Sequence, residues 1–120
     1  MRYSRQRESL VELLCSTKSH PDAQWLYEKL RKEYPNISLG TVYRNLRQLT
    51  EMGEILELRY GDSSHFDGDI SPHYHMRCSL CNKIIDIPKE SISIEIKTEN
   101  GFRIDAVDIS LGGICQACQN

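Results

Sequence analysis

Four of the five cysteines fall into two C-x2-C pairs, Cys78/Cys81 and Cys115/Cys118. Each pair can turn two thiolates toward one tetrahedral ion, and two pairs close its coordination sphere. A closed sphere leaves no position for water or substrate, so the zinc that suits it would be structural. The pairs are separated by 33 residues, 82 through 114, so intervening strands must bring them together. The rival chemistry, a redox dithiol, needs one pair and an activating environment and does not account for two. Gly112 and Gly113 ahead of Cys115 suit the tight backbone of a metal knuckle.

A second group offers nitrogen and oxygen in place of sulfur. His73 and His75 flank Tyr74. On an extended strand positions i and i+2 face one side, which makes the two imidazoles a metal pair. Asp67 and Asp69 lie just upstream, Asp86 lies downstream, and His20 is remote. Nitrogen and carboxylate ligands without sulfur suit Fe(II), Mn(II) or Zn(II). Spacing alone does not choose among these acids. An open ion with three protein ligands would instead serve a small metalloenzyme, yet the chain supplies no accompanying nucleophile or Gly-rich cofactor loop.

The elements that must position these groups divide into two halves. Residues 4–15 have helical spacing, with Leu10, Val11, Leu13 and Leu14 as an apolar stripe that Cys15 continues as a small buried hydrophobe. Asp22 caps a second helix over 23–34, carrying Leu26, Leu30 and Tyr34 on one face and stopped by Pro35. Ser38 caps a third helix over 39–53, where Val42, Leu46 and Leu49 repeat and Gly53 suits the position after the C-cap. Residues 54–60 alternate as a strand, 61–64 turn, and 65–67 return as a second strand. Three helices and a hairpin is the layout of a winged helix-turn-helix. Its recognition helix would be the third, with Thr41, Tyr43, Arg44, Asn45, Arg47 and Gln48 off the apolar stripe. An α-helix fits the major groove, and Arg and Asn read guanine and adenine edges. The same pattern also suits a plain three-helix core with a solvated polar face. Gly68 to Pro72 is a linker. Beyond it, residues 83–87, 91–97 and 102–111 are strand-like, and Asn100-Gly101 marks a turn.

Composition bounds the function classes. At 120 residues the chain makes one large domain or two small ones, and its 39% hydrophobic content is ordinary for a soluble protein. No apolar run is long enough to span a membrane, and no apolar segment follows the first arginines as a secretory signal would require, so a cytoplasmic location is expected. A net charge of −2 gives no bulk attraction to nucleic acid. Distribution matters more: residues 1–67 hold ten Lys/Arg and ten Asp/Glu, and 68–120 hold five and seven. Arg2, Arg5 and Arg7 crowd the start, where local charges can touch phosphates whatever the total; Arg5 joins the third helix as a candidate DNA contact.

The runs 5-RQRESLVELL-14, 19-SHPDAQWLY-27, 38-SLGTVYRNLRQLTEMG-53, 73-HYHMRCSLCNKIID-86 and 112-GGICQAC-118 together resemble the ferric uptake regulator (Fur) family of bacterial metal-dependent repressors. The resemblance spans nearly the whole chain in order. It implies an α+β fold: a winged-helix DNA-binding domain over 1–67, a hinge over 68–72, and a small α/β dimerisation and metal-binding domain over 73–120. It implies structural zinc on Cys78, Cys81, Cys115 and Cys118, a homodimer on double-stranded operator DNA, no membrane partner and no enzymatic activity.

Among the family's branches the chain is most similar to the peroxide-sensing repressors (PerR type). That likeness implies a regulatory Fe(II) or Mn(II) on His20, Asp67, His73, His75 and Asp86. The iron-sensing branch typically has glutamate at the last of these positions. Peroxide reacting at bound Fe(II) would oxidise His20 or His73 and release the operator. The alternative within the family is an iron-, zinc- or manganese-responsive uptake repressor. Asp69 becomes a bystander and His65 a residue of the wing surface. The resemblance puts a helix over 89–101, although 91–96 alternates as a strand would. It also leads one to expect a shorter N-terminal arm than many relatives have, with fewer DNA contacts, and no C-terminal metal-binding tail.

Overall fold

Local sequence signals set the ends of the first helices. In the computed structural model, which describes residues 4–107 and 109–119, Ser4, Asp22 and Ser38 each accept a backbone N–H three residues on. Each such N-cap contributes about 1 kcal/mol. They open α1 (Arg5–Cys15), α2 (Ala23–Leu30) and α3 (Leu39–Glu51). Arg2 and Asp108 lie outside the described residues. α3 ends as its glycine requires: Gly53 takes φ 74°, while Glu54 N–H reaches the Leu49 carbonyl and Gly53 N–H that of Thr50. α2 stops at Leu30, short of Tyr34, because the next turn tightens into i→i+3 bonds from Lys32 and Glu33.

Contacts divide the chain into two compact units, Met1–Ile70 and Ser71–Asn120. The first packs Leu10, Leu14, Leu26, Leu30, Val42 and Leu46 into one core, closed by Ile55 and Phe66. A strand pair follows the helices: β1 (Leu56–Tyr60) runs antiparallel to β2 (Ser63–Asp67). Only Gly61 and Asp62 form the loop, since Tyr60 pairs with Ser63. Ser63 and Ser64, expected in the turn, belong to the strand; Gly61 at φ 63° makes so short a loop possible.

The second unit is a three-stranded sheet in the order β4-β3-β5. β3 (His73–Cys78) pairs antiparallel with β4 (Ile84–Pro88) and parallel with β5 (Leu111–Gly113). Short 3-10 turns occupy Lys89–Ser91 and Gln116–Gln119.

The helix expected over 89–101 is not formed, and neither are strands over 91–97 or 102–110 among the described residues. Alternating Ser and β-branched Ile oppose a helix, and no described strand pairs with this segment. Asn100 and Gly101 do turn, both left-handed at φ 62° and 72°. Ile94, Ile96, Phe102, Ile104, Val107 and Ile109 are left exposed. Among the described residues no helix is long and apolar enough to cross a membrane.

Candidate metal centres and the α3 face

The sheet of the second unit gathers the four cysteines. Cys78 ends β3, and the chain doubles back at once: Asn82 N–H reaches the Cys78 carbonyl, and Cys78 N–H reaches that of Lys83. Asn82 turns left-handed at φ 63°, which brings Cys81 over Cys78. The parallel register of β3 and β5 sets Cys78 beside Gly113, so Cys115 follows two residues later on the neighbouring strand's exit. A Cβ at Gly113 would fall 3.0 Å from the Met76 sulfur, so a larger residue there would have to push that side chain aside.

All four sulfurs lie within 4.8 Å of one another, and Cys81 Sγ is 3.8 Å from Cys115 Sγ. Thiolates 2.3 Å from a tetrahedral zinc stand about 3.8 Å apart, so the cluster fits that ion. Its protons are unequally held. The Cys115 amide, 3.4 Å from Cys78 Sγ, heads the backbone hydrogen bonds that lower the Cys78 thiol to about 6. Cys118 shares its proton with neighbouring sulfurs, Cys115 first, and is pushed up to about 12.

The nitrogen and oxygen ligands form one group in each unit. In the second, the β3/β4 register sets His75 directly opposite Asp86, and His73 lies two residues along the same face. Asp86 Oδ1 is 3.2 Å from His73 Nε2 and 3.1 Å from His75 Nε2, and the two Nε2 atoms are 2.9 Å apart. Donors about 2.1 Å from an octahedral ion lie about 3.0 Å apart, so these three fit one face of such a site. His73 Nδ1 donates to the Ser71 carbonyl at 2.6 Å. That bond fixes the tautomer and leaves Nε2 as the metal-facing nitrogen.

In the first unit, His20 Nε2 stands 3.4 Å from Asp67 Oδ2, and both residues are buried. The Asp69 amide donates to Asp67 Oδ1 at 2.9 Å. Asp69 therefore contributes to this group through its backbone. Gly68 lets β2 end close against α1: a Cβ there would fall 2.9 Å from both the Cys15 amide nitrogen and the Leu14 carbonyl carbon. Cys15, expected in the core, is exposed, because α1 turns this position away from Leu10 and Leu14. His65, read from sequence as wing surface, is half-buried and directs its ring at the His20 carbonyl. A local cue was lacking: a lone histidine in an alternating strand carries no sign of its partner.

On α3, Tyr43, Arg44 and Arg47 are exposed and Thr41 is half-buried, while Arg5 is exposed on α1. Asn45 does not share that face. It is 5% exposed, because position 45 falls beside Leu46 and Leu49 on the core side of the helix. Gln48 is tied to α1, accepting from Arg7 Nη1 at 3.0 Å. The sequence pattern had no means of revealing that long-range bond.

The profile of the ferric uptake regulator family matches residues 1–111. The peroxide operon regulator of Bacillus subtilis (strain 168) is 37% identical over 125 residues, covering 98% of this chain and 84% of that protein. The peroxide-responsive repressor PerR of Staphylococcus aureus (strain USA300) is 36% identical over 124 residues, covering 100% of this chain and 84% of that protein. The solved structure of the Campylobacter jejuni peroxide stress regulator superposes with a TM-score of 0.72 at 26% identity, covering 94% of this chain and 88% of that one.

Proposed function

This chain belongs to the ferric uptake regulator family, and on that premise we propose that it is a metal-dependent transcriptional repressor whose operator binding is cancelled by hydrogen peroxide. Members of the family are regulators of transcription, so the metalloenzyme reading falls away. The observation that carries the proposal is the coexistence of two unlike ligand sets. Four thiols suit permanent zinc, and histidines with aspartates suit an exchangeable Fe(II) or Mn(II).

In this reading the three helices and the hairpin are a winged helix-turn-helix over residues 1–67. The exposed side chains Tyr43, Arg44 and Arg47, with Thr41 and Arg5, contact double-stranded operator DNA. Residues 68–72 are the hinge, and 73–120 form the dimerising domain. The residues that would hold the regulatory ion are His20 and Asp67, before the hinge in sequence, and His73, His75 and Asp86 after it. Ligands drawn from both sides would favour one angle between the domains when bound, and so one spacing of two recognition helices on two half-sites. The protein then works in the cytoplasm as a homodimer.

Bound Fe(II) would supply the reaction with peroxide. The chain supplies the target, an imidazole carbon of His20 or His73: one peroxide oxygen is added to the ring and the other leaves as water. The altered ring is a poorer ligand, and the operator is released. The preference for peroxide sensing over simple metal sensing rests on Asp86 and on the two relatives of 36–37% identity.

Gel shifts on operator DNA test this. Binding should require Mn(II) or Fe(II), and only the Fe(II) form should lose it on brief exposure to micromolar peroxide. Mass spectrometry should then find one added oxygen on the peptide containing His20 or His73. If both metal forms survive peroxide, the peroxide reading fails and a metal-responsive uptake repressor takes its place.

A further inference from the structure

His20 holds an expensive backbone conformation. Its φ of 53° is left-handed, a region that non-glycine residues avoid, and the residue after it is Pro21, which restricts its backbone further. Such a conformation persists only when the surroundings over-determine it. β2 supplies that constraint. His65 Nδ1 lies 2.9 Å from the His20 carbonyl oxygen, and Phe66 N–H reaches the Pro21 carbonyl at 2.9 Å. A carbonyl oxygen can only accept, so His65 Nδ1 carries the hydrogen. Two consecutive residues of one strand thus hold two consecutive carbonyls of the loop, 45 residues away in sequence. Asp67, next along β2, then presents Oδ2 at 3.4 Å from His20 Nε2.

We propose that His65 is a positioning residue for the regulatory metal, fixing the aim of His20 through a hydrogen bond to the His20 backbone. It is not a ligand itself: among the described residues its ring is not in the cluster of ligand atoms that includes His20 and Asp67. One strand thereby provides one ligand, Asp67, and sets the direction of another, His20. This inference rests on the reading of His20 as a ligand. Groups that orient a metal ligand commonly change affinity by about 10–100-fold, and an effect relayed through backbone belongs near the lower bound.

The test uses the zinc-loaded protein and Mn(II) as the probe. His65→Leu removes the donor, while His65→Asn keeps an N–H near the position of Nδ1. Titration calorimetry should show Mn(II) affinity about tenfold lower for His65→Leu and close to wild type for His65→Asn. Amide hydrogen exchange at His20 and Asp22, measured without Mn(II), should quicken in His65→Leu alone. Zinc content should be unchanged in both. If His65→Leu matches wild type in affinity and exchange, the proposal is overturned. If His65→Asn is as impaired as His65→Leu, the hydrogen bond is not the cause and ring packing is. His20→Ala separates the two layers: undiminished Mn(II) affinity there would remove His20 from the ligand set, whereas the exchange data still report whether His65 holds the loop.

Discussion

The four thiols come from one unit, on turns that a single three-stranded sheet holds in register. The histidines and aspartates come in two parcels: His20 with Asp67 in the first unit, His73 and His75 with Asp86 in the second. A set complete within one sheet folds with its metal and keeps it. A parcel of two or three ligands is incomplete by itself. Its affinity for an ion depends on what else the chain brings to it, and that dependence is what a sensor requires. Under the proposed function the thiol set would be part of the fold, and the nitrogen-oxygen set a variable acting on it.

Breaking the thiol set should have the largest effect. Binding of structural zinc contributes roughly 10–16 kcal/mol that is inseparable from folding, so Cys115→Ser should lose zinc and unfold the second unit. Metal content and circular dichroism would read this, and a folded, zinc-bound variant would refute the division. The next largest effect falls on the other set alone. Asp86→Ala should weaken Mn(II) binding by about 100-fold while the zinc stays in place. Calorimetry with parallel zinc analysis distinguishes this from general damage, and zinc loss would show that the two sets are not independent.

Gly68→Ala should act at a distance. Its Cβ meets the backbone of Leu14 and Cys15 at 2.9 Å, so the end of β2 must move, carrying Asp67 with it. Overpacking of this kind costs about 1–3 kcal/mol, readable as a lower thermal midpoint of the first unit together with weaker Mn(II) binding. A wild-type midpoint would mean that the strand end yields freely. The smallest effect concerns protons. At neutral pH the Cys78 thiol, at about 6, is already largely ionised, whereas Cys118, at about 12, still holds its proton. Zinc uptake by the metal-free protein should therefore release protons and strengthen as pH rises, because fewer protons then compete for the sulfurs. An indicator dye in weak buffer would detect the release, and uptake without it would contradict the unequal holding of these protons.

The legible parts of the fold were those with strong local rules. Ser4, Asp22 and Ser38 announce helix starts, Gly53 announces an end, and the spacing of Val42, Leu46 and Leu49 gives the buried stripe. The C-x2-C pairs were equally plain, because chemistry fixes their spacing. Residues 92–110 were illegible for a physical reason: alternation states a preference for extension but does not name a pairing partner. Asn45 was misplaced because polarity is a poor guide to the edge of a helical stripe, where 100° per residue leaves positions on the boundary. His65 and Gly68 gain their meaning from backbone lying about 50 residues earlier, which no local pattern encodes.

The exposed fifth cysteine has a practical consequence. Zinc bound by the other four would shield them from thiol reagents, so a metal-loaded chain should titrate one thiol and a stripped chain five. Cys15 thus serves as a built-in gauge of zinc occupancy. Its sulfur lies 3.9 Å from the Gly68 carbonyl, so a fluorophore attached there would also sit beside the strand end that carries Asp67.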